Sequence, residues 1–242
     1  MSDEKSLKYN EPWILQRADP YVYRHTDGSY YFTASVPAYD GIVLRRAGTL
    51  AELSGAEEVM VWKKHESGPM SYHIWAPEIH YLFGKWYIYF AGGEAEDIWK
   101  IRPYVLECSG DDPLTDEWVE LGKMKRAAED EFSFEAFSLD ATVFENKGEY
   151  YYVWAEKVGV GKMISNLYIA KMESGNQLKT VQVLLTTPDY DWERKGFWVN
   201  EGPAVIHHDG KMFLTYSASE TGVDYCVGML SKIGRASCRE RV

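Results

Sequence analysis

The sequence predicts an all-β fold, a β-propeller with about four blades in the chain. Three observations predict it. A unit made of an apolar segment, a glycine turn and an alternating aromatic run occurs four times, with turn glycines at Gly28, Gly84, Gly148 and Gly210. Their pitch is about sixty residues, long enough for one four-stranded blade each. Aromatic residues make up 15% of the 242 residues, an excess that suits pleated, half-buried strands. Helical periodicity is nearly absent; the one weak stretch is Thr49 to Glu58.

Each unit opens on the segment that should line the central channel. The first reads Ala18-Asp19-Pro20-Tyr21, turns at Asp27-Gly28 and continues through Tyr30 to Ala34, Ile42 to Arg45 and Val59 to Trp62. The second places strands at Ile79 to Leu82, Trp86 to Phe90, Tyr104 to Cys108 and Trp118 to Leu121. The third places them at Ala141 to Phe144, Tyr150 to Ala155, Leu167 to Met172 and Val181 to Leu185. The fourth gives Ala204 to His207, Met212 to Ser217 and Tyr225 to Leu230, and no fourth strand is expected there. Residues 1–17 read as an arm lying across the domain. Residues 234–242, Gly-Arg-Ala-Ser-Cys-Arg-Glu-Arg-Val, break the composition and read as a vector-derived tail. One incomplete propeller domain is therefore expected over 1–233, with its last blade missing.

Composition narrows the partners. A formal net charge of −11 disfavours nucleic acid and anionic membranes, which are met by basic patches. No apolar run is long enough to span a bilayer. No apolar stretch follows Met1-Ser2-Asp3-Glu4-Lys5, so a cytoplasmic location is expected, with a secreted parent as the alternative. Cys108, Cys226 and Cys238 are scattered and suggest neither a disulfide framework nor a zinc site.

Three units carry an acid eight or nine residues before the turn glycine: Asp19, Asp140 and Glu201. Rotation about a propeller axis would gather such positions at one mouth of the channel. Singly, Asp-Pro and Glu-Gly-Pro are ordinary turn chemistry. Together they suggest a carboxylate site, since an acid buried beside sheet core without a partner is costly. The second unit has Ala76 at that point, and its Glu78 falls two residues late, where pairing with an Arg or a backbone amide is the simpler reading. Trp75 is either a sugar-pocket wall or core. Tyr39, Asp40 and Trp99 lie on connectors expected to reach the mouth and are candidate substrate contacts. His73, His207 and His208 read as solvated or structural. Without a spaced His, Cys and carboxylate cluster, no metal site is expected from this chain alone.

Four ordered segments resemble family 43 of the glycoside hydrolases: Arg17-Ala18-Asp19-Pro20, His73-Ile74-Trp75-Ala76-Pro77-Glu78-Ile79, Ser138-Leu139-Asp140-Ala141-Thr142 and Val199-Asn200-Glu201-Gly202-Pro203-Ala204. The likeness runs from about residue 9 to 232. Val43-Leu44-Arg45-Arg46-Ala47 and Phe137-Ser138-Leu139-Asp140 make it most similar to the exo-acting α-L-arabinofuranosidases. The resemblance implies a five-bladed propeller and hydrolysis of terminal arabinofuranosyl residues with inversion. It implies Asp19 as general base, Asp140 as modulator of the acid and Glu201 as general acid. It further implies a plant cell-wall oligosaccharide as substrate and no cofactor for the chemistry, with a structural cation in the channel of the complete protein.

Inversion needs one protonated and one ionised carboxyl on opposite sides of the anomeric carbon, roughly 6.5–9.5 Å apart. A like charge on Asp140 is expected to raise the pKa of Glu201. A β-xylosidase or an endo-arabinanase on the same frame remains open, as does a non-catalytic carbohydrate-binding propeller. Retaining fructan hydrolases are disfavoured, because Ala18-Asp19-Pro20 stands where they carry Asn-Asp-Pro and Glu107-Cys108 lies on an expected outer strand.

Overall fold

The computed structural model describes residues 12–158, 164–233 and 236–241. The first blade comprises β1 (Ala18–Arg24), β2 (Tyr30–Ser35), β3 (Gly41–Ala47) and β4 (Val59–Lys63), hydrogen-bonded in that order. The second comprises β5 (Tyr72–Leu82), β6 (Lys85–Glu94), β7 (Asp97–Cys108) and β8 (Val119–Lys123). In the third, β9 (Ser138–Asn146), β10 (Glu149–Val158) and β11 (Ile164–Ser174) are followed by the two-residue β12 (Gln177–Leu178) and by β13 (Val183–Thr186), both paired with β11. The fourth contains β14 (Trp198–His208), β15 (Lys211–Ala218), β16 (Cys226–Ile233) and β17 (Ala236–Arg241). A short parallel contact, Ile164↔Trp198 and Ser165↔Val199, joins blades three and four. These are four blades of a β-propeller.

The fourth strand of the last blade departs from the sequence reading. Residues 236–241 pair antiparallel with β16, from Ile233↔Ala236 to Gly228↔Arg241. An open sheet edge presents unpaired N–H and C=O groups, and a following extended segment satisfies them whatever its composition. Thr49 to Glu58 holds only a 3-10 turn, Leu50–Ser54. Residues 1–11 of the expected arm lie outside the described residues. Trp13 and Ile14 do lie across the first blade, on Phe32, Ala34 and Leu53.

The continuous apolar runs follow from stacking. A middle blade is covered on both faces, so alternate residues of one strand feed two different cores. In β6, Trp86, Ile88 and Phe90 pack with Tyr31, Ile42 and Leu44 of the first blade, while Tyr87 and Tyr89 pack with Tyr152 and Trp154 of the third. In β10, Tyr152 and Trp154 face backwards, and Val153 and Ala155 face Leu214 and Tyr216 of the fourth blade. Burying each such large side chain contributes about 1.5–3 kcal/mol. Phe83-Gly84, Lys147-Gly148 and Asp209-Gly210 form two-residue hairpin turns with positive φ at both positions, as primed turns require.

The inner strand of every blade carries a β-bulge at the same place. Partners jump from Ala18↔Ser35 to Tyr21↔Thr33, from Trp75↔Ala91 to Glu78↔Tyr89, from Leu139↔Ala155 to Thr142↔Val153, and from Glu201↔Ser217 to Ala204↔Thr215. The first extra residue is left-handed in each: Asp19 (φ 49°), Ala76 (45°), Asp140 (51°) and Gly202 (56°). Such bulges re-aim side chains and recur beside active sites.

Candidate active site

The four bulges surround two connected cavities. The outer one, about 370 Å³, is lined by Glu201, Trp75, Tyr39, Phe137 and Lys157 among others. The inner one, about 350 Å³, is lined by Glu78, Tyr21, Gly202, Ala204 and Ser217 among others. Asp19, Asp140 and Tyr225 line both. Three acids more than 180 residues apart in sequence at the extremes thus share one concavity.

The bulge alignment corrects the sequence register. Asp19 and Asp140 occupy the left-handed position, but Glu201 stands one residue earlier, level with Ala18, Trp75 and Leu139. That level lines the outer cavity. Gly202 holds the left-handed position instead, and a Cβ there would come 3.2 Å from Ser217 Oγ.

Hydrogen bonds within and between blades hold the acids. Ser35 Oγ donates to Asp19 Oδ2 at 2.7 Å and accepts from the Ala76 amide of the next blade at 2.8 Å. The Gly202 amide donates to Asp140 Oδ2 at 3.0 Å, tying blade three to blade four beside Glu201. Tyr225 donates its hydroxyl to Glu201 Oε1 at 3.0 Å. Glu78 is paired with the ring of His80 (Oε2 to Nε2, 2.9 Å) and with the Thr142 side chain, not with an arginine or an amide.

Asp140 and Glu201 open only towards the cavity, and loss of water around them is the main cause of their shifts. Burial, then the negative charges of Glu201 and Asp19, push the Asp140 carboxyl well above the usual range, against the Gly202 amide. Burial also raises Glu201; Tyr225 and the Lys157 ammonium oppose this, and Asp19 adds to it. The expected cause is therefore reversed: Asp140 rises in the field of Glu201, and Glu201 rises chiefly by desolvation. Two such neighbours titrate as a pair and hold a proton to higher pH than isolated carboxyls. Burial raises Glu78 as well, against its bonds to His80 and Thr142.

Trp75 and Tyr39 stand in the outer cavity wall, with ring centres 5.9 Å apart and planes at 82°. Asp40 lies among the lining residues of neither cavity; its carbonyl accepts from the Lys64 amide. Trp99 stands outside the cavity, on the rim beside Trp75. Sequence reasoning missed Lys157, Phe137, Tyr225 and Ser35. The Lys157 ammonium sits 3.9 Å from the centre of the Phe137 ring, and burial pulls its pKa down while Glu201 pulls it up. Glu78 was discounted for being out of register, although it is the inner neighbour of the Asp19 and Asp140 pair. A Glu and a His two residues apart on an inner strand, Glu78 and His80, was the available signal. Among the described residues no group of three or more His, Cys, Asp or Glu side chains is arranged to hold a metal ion.

The sequence profile described as glycosyl hydrolases family 43 matches residues 9–239. The chain belongs to that family. It is 48% identical over 223 residues to an extracellular exo-alpha-(1->5)-L-arabinofuranosidase of Streptomyces chartreusis, covering 92% of this chain and 66% of that protein. It is 46% identical to alpha-L-arabinofuranosidase 43 of Humicola insolens, covering 93% of this chain and 46% of that one. The crystal structure of an alpha-L-arabinofuranosidase from Lactobacillus brevis superposes with a TM-score of 0.83 at 49% identity, over 96% of this chain and 74% of the other. The chain thus spans about half to two thirds of the length of the sequence relatives it matches.

Proposed function

We propose that this family 43 protein removes terminal α-L-arabinofuranosyl residues from arabinan or arabino-oligosaccharides of the plant cell wall, with inversion. The observation that carries the reading is the convergence of Asp19, Asp140 and Glu201 from three blades on one cavity, with two of the three carboxyls raised. The names of the relatives support the choice of sugar.

In this reading the terminal sugar enters the outer cavity against Trp75. Glu201 donates its proton to the glycosidic oxygen as the C1–O bond breaks. Asp19, oriented by Ser35, takes a proton from the water whose oxygen bonds to C1 from the opposite face. Asp140 bridges the two roles: its bond from the Gly202 amide fixes the strand that carries Glu201, and its charge shares the proton of the pair. Desolvation favours the protonated form of this acid.

The test is a proton NMR time course on α-1,5-arabinotriose, with p-nitrophenyl α-L-arabinofuranoside and β-D-xyloside as comparators. The expected result is arabinose released first as the β-anomer and little release from the xyloside. Release of the α-anomer, or a preference for the xyloside, overturns the assignment.

A further inference from the structure

We propose that Glu78 is a positioning residue of this site: from the level next to the catalytic acids it ties blades one, two and three together and sets a negative charge beside Asp140. The inference rests on the hydrolase reading above and gives a role to a channel carboxylate that the reaction itself does not use.

The first residue after each bulge forms a level of its own: Tyr21, Glu78, Thr142 and Ala204. Glu78 is the acid of this level; the other three positions cannot carry a charge near neutral pH. Tyr21, Glu78 and Ala204 line the inner cavity, which Asp19 and Asp140 also touch. Tyr21 follows Asp19 by two residues, and Thr142 follows Asp140 by two. Whatever holds this level therefore holds the backbone that carries both acids.

The Glu78 carboxyl reaches both neighbouring blades. Its Oε2 lies 2.9 Å from His80 Nε2, and Nδ1 of the same ring lies 3.4 Å from the Tyr21 hydroxyl. The carboxyl also takes a bond from the Thr142 side chain. One line of bonds, Tyr21–His80–Glu78–Thr142, thus runs from β1 through β5 to β9. The carboxylate sets the order of donors along it. It accepts from Nε2–H, which leaves Nδ1 to accept from the Tyr21 hydroxyl.

Packing makes the line stiff. His80 is only 4% exposed, and its ring is enclosed by those of Tyr21, Tyr89 and Tyr23, with centres 5.0, 5.8 and 6.0 Å away. Among the described residues, the sheets of blades one, two and three share no strand ladder. Side chains must therefore set the spacing of these blades at the channel. The Ser35 bond to the Ala76 amide does so at the level of the acids, between blades one and two. The Glu78 line does so at the next level and continues to blade three.

The charge of Glu78 acts in the same direction as the two acids. Asp140 faces Glu201 and the Gly202 amide from β14, Asp19 from β1, Glu78 from β5, and the Tyr225 hydroxyl. Glu78 itself faces His80 on its own strand, Tyr21 on β1, Thr142 on β9 and Tyr152 on β10. After burial, Glu201 and Asp19, the Glu78 charge is a further cause that pushes the Asp140 carboxyl up. An ionised Glu78 therefore favours the proton that Asp140 and Glu201 share.

The test separates the tie from the charge. Glu78→Ala breaks the line and should lower kcat for α-1,5-arabinotriose about 10²-fold with KM moved less than about twofold, because the acids shift while the sugar loses no contact. Glu78→Gln keeps groups to meet His80 and Thr142 but carries no charge. It should recover most of kcat at its own optimum, with the alkaline limb of the kcat/KM profile moved to lower pH, since the shared proton is held less tightly. A folded Glu78→Ala with near-parental kcat, or a Glu78→Gln limb that stays or moves upward, overturns the proposal. If Glu78→Ala does not fold, the Glu78→Gln limb decides. If the parent protein cleaves no arabinoside, the titration of the Asp140 carboxyl followed by carbon NMR decides instead. A lower midpoint in Glu78→Gln keeps the role of Glu78 and removes the hydrolase reading, whereas an unmoved midpoint overturns that role.

Discussion

The bulges of blades three and four share one backbone and differ in where the acid stands. Leu139-Asp140-Ala141-Thr142 puts its carboxylate on the left-handed residue, and Glu201-Gly202-Pro203-Ala204 puts it one residue before. The first acid touches both cavities; the second faces the outer one. In the proposed mechanism, a shift of one residue across the bulge separates a carboxyl that can reach substrate from below from one beside the leaving group. The longer Glu side chain at the outer level and the shorter Asp at the inner one agree with that division. Gly202 makes it possible, because it takes the left-handed position next to Ser217 without a Cβ and turns its amide onto Asp140.

The sharpest way to break this comparison is to disable the outer acid alone. Glu201→Gln keeps an oxygen to accept from Tyr225 but cannot donate a proton to the glycosidic oxygen. Turnover of arabinotriose should fall by about 10²–10⁴-fold, with a smaller loss on p-nitrophenyl arabinofuranoside, whose leaving group needs less protonation. Near-normal turnover of arabinotriose would remove Glu201 from the acid role.

Replacing the inner acid separates stability from activity. A carboxyl whose folded-state pKa is raised binds its proton more tightly folded than unfolded. Its contribution is present in full below the unfolded-state pKa and is lost as pH rises through the folded-state value. Asp140→Asn cannot ionise and still accepts from the Gly202 amide. It should lower kcat strongly yet melt at a higher temperature than the parent, with the gap widening from about pH 5 to about pH 8. A gap that narrows over that range would show that Asp140 is not the strained partner of Glu201.

The smallest effect sharpens the outer level. The Lys157 ammonium favours ionised Glu201, so Lys157→Gln should let Glu201 keep its proton to higher pH. The alkaline limb of the kcat/KM profile should move upward. A downward move would mean that Lys157 acts on the substrate and not on the acid.

Much of this arrangement was legible beforehand, for definite reasons. Period-two aromatic runs such as Trp86 to Phe90 and Tyr150 to Trp154 announce strands buried on both faces, and Gly84, Gly148 and Gly210 mark two-residue turns. The registers were harder to read. Counting back from the turn glycine gives nine for Asp19 because His25–Ser29 is a longer turn, and nine for Glu201 because that acid truly sits one residue earlier. A linear count cannot tell these apart.

The sequence by itself determined the strands, the fourfold repeat and the identity of the three acids, because alternation, turn glycines and residue type are local properties of the chain. Only the tertiary structure decided which acid stands at which level. It also brought Ser35 to Asp19 and Tyr225 and Lys157 to Glu201, and it set Trp99 on the rim beyond Trp75. The physical reason is that hydrogen bonding, desolvation and charge act through a few ångströms of space. Lys157 meets Glu201 because blades three and four close on one another, and strand pairing and loop placement within a blade set the other pairs, so none of these distances is written along the chain.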